Sequence, residues 1–504
     1  MEKLRISSYV IPIKLEDEIN KYMLMHGYTG AIDIVGEEVV TKLLHHQGQF
    51  IDLTSFDEEI GEYLIKRGYL TTKSENEEYE YVKRLASALH KKKKIVNSSF
   101  TFVVTYNCNF KCPYCFEKEA IQNIHKTITF TKEMVDKAYL LIQEIQPDNE
   151  LRPGVITLFG GEPLLKENKE IVRYIIEQGR ALGFRFDAVT NGYDLDAYED
   201  LLSSENFNHL LITVDGTEER HNSTRIHKKN SSTFDIVIKN IGIALNGGVG
   251  VTVRVNTDKS NIQELNDLKS LFDSLHYTDN SNFFMDSAML RNYDKKITDE
   301  QKKYFFTTRE FVEEHKKLKF KYGCNSFGVF SNIFHAIIKQ KPLQYRSTFC
   351  GAQAGGYVFD PLGKIYTCWE AVGKKEFEVG DYLHLPVTWN YETLNLWQNH
   401  NITSVQSCSI CKYALLCGGG CLAVNWDKHK CNNMPELIEY AANTAFNNYK
   451  FKEYENRNIY VLGTGNDKPQ VNCLFNRVVP EISPVQFFCV KNNSGKKLIV
   501  TFII

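Results

Sequence analysis

The stretch Thr105-Tyr106-Asn107-Cys108-Asn109-Phe110-Lys111-Cys112-Pro113-Tyr114-Cys115-Phe116 sets three cysteines at C-x3-C-x2-C spacing, and nothing else in the chain constrains it as tightly. Thiolates select iron–sulfur clusters or zinc. Three thiolates from one loop fall one short of the four that a cubic 4Fe-4S cluster takes. One iron is then left open to something other than protein, which marks a site that does chemistry rather than one that staples a loop. The alternative is a zinc site completed by an imidazole such as His125, because short cysteine spacings bind zinc as well.

Short apolar runs at Phe100–Thr105, Val155–Phe159, Phe184–Thr190, Leu210–Val214, Val251–Asn256 and Phe283–Met285 alternate with longer segments of helical period such as Glu133–Ile145 and Lys169–Leu182. A repeated β-α order predicts a parallel sheet. Several polar motifs fall just after these runs, where barrel enzymes place their chemistry. Gly160-Gly161-Glu162-Pro163 follows the second run, Thr190-Asn191-Gly192 closes the third, and Thr213-Val214-Asp215-Gly216 closes the fourth, followed by His221-x3-Arg225. Taken singly, a Gly-Gly-Glu-Pro turn is an ordinary strand-to-helix connection. Arg225 alone reads as a solvated helix residue, and His221 as a local hydrogen-bonding partner.

The cysteine spacing with the aromatic Phe116, and the order of the later motifs, resemble the radical S-adenosylmethionine (SAM) family. The resemblance implies an incomplete (β/α)6 barrel and a SAM-binding 4Fe-4S cluster on Cys108, Cys112 and Cys115. It further implies that Gly160, Gly161, Glu162 and Pro163 hold the SAM amino group through a backbone carbonyl and a carboxylate, both able to accept from an ammonium. Asn191 and Thr213 would line its ribose and carboxylate, with Thr213 in the position usually held by serine. Arg225 would fork onto the carboxylate.

A second cysteine cluster reads Cys350-x12-Gly363-x4-Cys368, then Cys408-x2-Cys411-x5-Cys417-x3-Cys421-x9-Cys431. It resembles the SPASM extension of some radical SAM enzymes, which carries two auxiliary 4Fe-4S clusters. By that resemblance Cys408, Cys411, Cys417 and Cys431 hold one cluster, and Cys350, Cys368 and Cys421 contribute to the other. The Cys421–Cys431 gap is shorter than the family pattern. The second auxiliary cluster is left with three ligands and either an open iron or a fourth ligand from Cys324, 26 residues upstream of Cys350. Cys324 reads equally well as a small core residue, and the whole cysteine cluster as a pair of zinc knots.

At 504 residues the chain is long enough for two to four domains. A formal net charge of -2 points to no nucleic-acid partner, and the run Lys91–Lys94 reads as a solvated face. Thirteen cysteines without a secretory start predict a reducing, anoxic cytoplasm, and no apolar run of membrane length is present.

Ahead of the cluster ligands, Gly30–Val35 reads as a strand and Glu37–His46 as a helix burying Val40, Leu43 and Leu44. Ser55-x-x-Glu58 reads as a capping box for a helix through Lys66, and Gly68–Thr72 as the turn into a wing. This order resembles the recognition element at the front of peptide-modifying radical SAM enzymes, where a leader peptide adds a strand to a small sheet. A plain N-terminal cap and a winged-helix DNA binder are the alternatives.

The expected organisation is therefore α/β: a winged-helix-like leader-peptide recognition domain (1–95), a radical SAM partial barrel (96–300), a helical linker (301–345), a SPASM domain (346–445) and a tail (446–504) whose Cys473 and Cys489 receive no role. The resemblance implies oxidative thioether or other cross-link formation in a ribosomally made precursor peptide. The implied partners are a leader-bearing peptide and an electron donor such as flavodoxin or ferredoxin, with no nucleic acid or membrane. The rivals are sulfatase-maturase-like oxidation of a protein Cys or Ser, and a non-enzymatic iron–sulfur electron-transfer or zinc-stabilised protein.

Overall fold

The computed structural model describes residues 3–46, 48–96, 99–117, 128–230, 232–291, 298–319, 323–324, 328–384, 386–423, 431, 434–453, 485–491 and 497–503. His125 and Cys473 lie outside these residues. The chain divides into two compact units, one of residues 1–92, 326–350 and 400–504, the other of residues 93–325 and 351–399.

In the first unit, Val10–Lys14 (β2), Lys21–His26 (β3) and Ile32–Gly36 (β4) form an antiparallel sheet in the order β2-β3-β4. Leu4–Ile6 (β1) lies between Phe50–Ile51 (β5) and Leu70–Thr71 (β6) in a second small sheet. Helix α1 (Glu37–His45) buries Val39, Val40 and Leu43. Leu44, expected inside, is 53% exposed, because one residue past Leu43 the helix has turned about 100° towards solvent. Helix α2 (Glu58–Arg67) starts after Asp57 without a side-chain cap bond, and Ser55 ends a 3-10 turn instead of capping it. Gly68, at φ 85°, stops α2 and turns the chain into β6.

Helix α3 (Glu75–Val96) is tied to β1 by Glu78, whose buried carboxylate accepts from Arg5 Nη2 (2.5 Å), Ser7 Oγ (2.5 Å), Ser8 N (2.9 Å) and Tyr28 Oη (2.8 Å). Strands Val485–Lys491 and Lys497–Ile503 pair antiparallel in the tail. Among the described residues no helix is long and apolar enough to cross a membrane.

The second unit is built on a parallel sheet whose central strands follow chain order: Ser99–Thr105 (β7), Val155–Gly160 (β8), Arg185–Thr190 (β9), Phe207–Thr213 (β10), Gly250–Thr257 (β11) and Phe283–Met289 (β12). Each contains or overlaps one of the apolar runs read from the sequence. Gly323–Cys324 (β13) extends the sheet beyond β12, with Cys324 paired to Ser287. At the other edge Gly356–Phe359 (β14) joins β7 in parallel, followed by Lys364–Tyr366 (β15), Gly380–Asp381 (β16) and Thr388–Trp389 (β17).

Helices α4 (Lys132–Ile145), α5 (Lys169–Ala181), α6 (Glu218–Thr224), α7 (Phe234–Asn246) and α8 (Glu264–Ser274) fill the crossovers. Helix α4 opens on Thr131, which accepts from Met134 N, and buries Val135, Ala138, Leu141 and Ile142 at helical spacing. In α5, Gly179 lets the helix close on the sheet, since a Cβ there would stand 2.4 Å from Phe186. Along β11, Val251, Val253 and Val255 are buried while Thr252, Arg254 and Asn256 are half-buried, so the strand has one apolar face and one polar face.

Candidate active site

The loop after β7 carries Cys108, Cys112 and Cys115 as free, half-buried thiols. Burial pushes all three thiols up, Cys115 to about 11, with the charge of Glu162 adding at Cys108, and Glu117 at Cys115. At Cys112 the Arg225 guanidinium opposes the shift. Thiols in such a setting hold their protons until a metal displaces them.

The Gly-rich loop is bonded directly to the cysteine loop. Gly161 N donates to Thr105 O (3.0 Å) and Glu162 N to Asn107 O (2.7 Å). Gly160 sits at φ 132°, and a Cβ on Gly161 would stand 2.4 Å from Asn107 O, so only glycine lets the two loops approach. The fully buried Glu162 accepts from Thr190 Oγ1 (2.6 Å) and Leu164 N (3.0 Å) on one oxygen and from Asn191 N (2.6 Å) on the other. Burial still pushes its carboxyl up to about 7 against these donors. The sequence reading had this carboxylate meet an ammonium group. Both of its oxygens brace the neighbouring strand end. Pro163, also buried, accepts from Asn168 Nδ2 through its carbonyl (3.3 Å).

Asn191 closes the ring of loops, donating through Nδ2 to Asn109 Oδ1 (2.7 Å). Thr213 is buried at the end of β10. Two residues on, the Asp215 carboxylate accepts from Tyr114 Oη, Thr224 Oγ1 (3.1 Å) and Asn256 Nδ2 (3.2 Å). Arg225 donates to Tyr114 Oη (3.4 Å) and lies 5.3 Å from the Phe110 ring centroid. It is held against the cysteine loop rather than solvated. His221 differs from its expected role: it is buried, neither ring nitrogen has a hydrogen-bond partner, and its ring packs edge-on against Phe234. Burial and Arg225 push its pKa down to about 3, so it stays neutral.

Sequence reasoning assigned no role to Tyr114, whose signal was an aromatic between the second and third cysteines, or to Glu117. Glu117, two residues past Cys115, is buried, has one oxygen with no hydrogen-bond partner among the described residues, and is pushed up to about 8 by burial and by Glu162. Cys368, also in the second unit, follows β15. The next residue, Trp369, stacks on Phe159 (5.2 Å), which stacks on Phe116 (6.4 Å).

In the first unit, Cys408, Cys411, Cys417 and Cys431 stand within electrostatic reach of one another. Burial first, then the neighbouring cysteines, push Cys408 to about 11 and Cys417 to about 12, with Cys431 acting on both and on Cys411. Between Cys417 and the buried Cys421, Gly418, Gly419 and Gly420 are all left-handed, at φ 80°, 88° and 87°, a path closed to residues with a Cβ. A Cβ on Gly418 would stand 2.4 Å from Thr348 O, and Arg346 N donates to Leu415 O (2.8 Å). That segment runs on to Cys350, and the Arg346 guanidinium feels the charge of both Cys417 and Cys350.

Among the described residues no group of three or more His, Cys, Asp or Glu is set to hold a metal ion as the side chains stand. A cubane spreads its thiolates over separate irons rather than around one point. The donor set, three free thiols on one loop braced by glycine contacts that exclude any side chain, fits such a group.

The profile of the radical SAM superfamily matches residues 102–272, a span that holds the cysteine loop and every strand-end motif described above except those beyond β11. That span is a radical SAM domain. The chain is 22% identical over 450 residues to the radical SAM cyclopropyl synthase TigE of Paramaledivibacter caminithermalis, covering 83% of this chain and 90% of TigE. Among solved structures it is similar to anSMEcpe with bound AdoMet and Cp18Cys peptide, with TM-score 0.52 and 19% identity over 70% of this chain and 99% of that one. Streptococcus suis SuiB bound to precursor peptide SuiA gives TM-score 0.44 and 14% identity over 86% and 98%. At these identities the structural likeness is one of fold. The superfamily matched over residues 102–272 implies SAM and a 4Fe-4S cluster as cofactors.

Proposed function

We propose that this radical SAM enzyme modifies a ribosomally made precursor peptide by net oxidation, forming a thioether or another cross-link. The observation that carries the reading is in the first unit. Among the described residues β2 pairs only with β3, and beside that edge Ile6, Val10, Pro12 and Leu44, with Ser7, Ser8 and Lys412, line a small, mainly apolar groove. An unpaired strand edge next to an apolar groove is suited to an added peptide strand, main-chain bonds giving affinity and side-chain pockets giving choice. An electron-transfer protein has no use for it.

In this reading Cys108, Cys112 and Cys115 hold the cluster, and the backbone of Gly160, Gly161 and Pro163 meets the SAM amino group, with Glu162 as the brace that fixes the loop. Asn191 and Thr213 flank the bound nucleoside, and Arg225, steadied by Tyr114 and Phe110, takes the carboxylate. The cluster and SAM together supply hydrogen-atom abstraction from an unactivated carbon. The protein positions that carbon and excludes water. Cys408, Cys411, Cys417 and Cys431 serve one auxiliary cluster; Cys350 and Cys421 of the same unit serve a second. A flavodoxin or ferredoxin supplies the reducing electron.

The test is anaerobic co-expression with a short Cys-containing peptide encoded beside the gene. A thioether appears as loss of two hydrogens and one alkylatable thiol per bond. The relative named a cyclopropyl synthase points to carbon–carbon ring closure as the other outcome, which loses two hydrogens and keeps every thiol. Unchanged peptide mass with a fully cluster-loaded enzyme rejects the reading.

A further inference from the structure

The strand-end residues that face the proposed SAM site lie in one transverse row. Thr190 on β9 pairs with Ile212 on β10, which sets Asn191 level with Thr213. Thr213 pairs in turn with Arg254 on β11, and Arg254 with Asp286 on β12. In a parallel sheet, residues paired in register share a face. The row that holds Asn191 and Thr213 therefore runs two strands further, to a cation and an anion that no motif names and no step above uses. Both side chains are half-buried. They sit on the face opposite the buried Val253 and Val255, at the end of the strands where Asn256, two residues beyond Arg254, bonds Asp215.

Asp286 is the more telling member. Its carboxyl group makes no hydrogen bond within the described structure, and burial pushes it up to about 7 while Arg254 pulls it back. A half-buried carboxyl with no donor from the protein is open to a donor brought by something else. Directly beyond it on β13 the register partner is Gly323, which has no side chain to supply one.

We propose that Arg254 and Asp286 clasp one residue of the substrate peptide beside the carbon that reacts, Arg254 donating to its carbonyl oxygen and Asp286 accepting from its N–H. Adjacent strands stand about 4.8 Å apart, and an extended residue offers a C=O and an N–H along the same edge. A donor and an acceptor set one strand apart match that edge whatever the side chain. The pair thus fixes the backbone and leaves the choice of residue to the rest of the lumen. It rests on the peptide-modifying reading, whose substrate it positions.

The experiment uses the cluster-loaded enzyme with SAM, a reductant and the precursor peptide, and reads KM, kcat and modified peptide per 5'-deoxyadenosine released. D286A and R254M should each raise KM for peptide and lower product per SAM cleaved by about tenfold, the size of one lost charge-assisted hydrogen bond. D286N, which keeps an acceptor oxygen, should fall between D286A and the unmodified enzyme. Thermal unfolding and iron content, matched to the parent, separate this from misfolding. D286A with unchanged KM and unchanged coupling overturns the clasp alone. An unmodified enzyme that alters no peptide overturns the clasp and the function reading together.

Discussion

At the scale of single residues, the loops of the site are held together by side chains that bond each other. Glu162 is the clearest case: its oxygens satisfy Thr190, Leu164 and Asn191 in a buried setting. Glu162→Ala strands those donors, and we expect a loss of roughly 3 kcal/mol or more, read as a lower thermal midpoint together with reduced iron. The cysteines are different, because the proposed function gives them to the cluster. Replacing Cys108, Cys112 and Cys115 together by Ala should abolish reductive SAM cleavage, read as 5'-deoxyadenosine released with dithionite, while peptide binding to the first unit is kept. His26 gives a pH signature. It is fully buried, bonded to Ser7 Oγ (3.0 Å) and to Tyr28 N and Thr29 N, and burial lowers its pKa from 6.5 to about 4. The unfolded chain takes up the proton at about 6.5 and the fold does not until about 4. Stability is therefore full above 6.5 and falls by about 1.4 kcal/mol for each pH unit between those values. Unfolding followed from pH 7.5 to 4.5 should show that slope, and His26→Asn should flatten it.

At the scale of elements, strand ends and the loops after them decide the chemistry. The third and fourth apolar runs delivered Asn191 and Thr213 to the same level through the parallel register of β9 and β10, although the connection between them holds only the 3-10 turn Leu195–Tyr198. The reading failed where two neighbouring residues of the same polarity competed for one face. Leu43 took the buried position of α1 and Leu44 was turned outwards, where it lines the rim of the groove beside β2. That exposure makes Leu44 a usable probe. Leu44→Glu should leave the fold unchanged and weaken conversion of the full precursor peptide by about tenfold or more, without affecting a peptide that lacks its leader. Equal turnover of the full precursor by both enzymes would remove the groove from peptide recognition.

At the scale of the whole molecule, the metal content tests the proposed allocation of cysteines. Three cubane clusters require about 12 irons per chain. Removing Cys408, Cys411 and Cys417 should take away about four of them and leave SAM cleavage. Cys324 is the remaining question of allocation: its backbone is fixed in β13 beside Ser287, at the edge of the barrel sheet. We expect Cys324→Ala to leave iron content and turnover as they were, with one auxiliary iron open to a substrate thiolate. Loss of about four irons in that variant would make Cys324 a ligand and thioether formation the weaker outcome.

The sequence by itself determined the donor set, the β-α alternation and the order of the motifs, because ligand identity and hydrophobic period are properties of the chain that need no partner. It could not say that Glu162 braces Thr190 and Asn191, or that the His221 ring packs edge-on against Phe234. Nor could it set Arg254 and Asp286 level with Thr213. Those depend on which groups from distant segments fill the space around a side chain, and only the parallel register and the packing of the loops over it decide that.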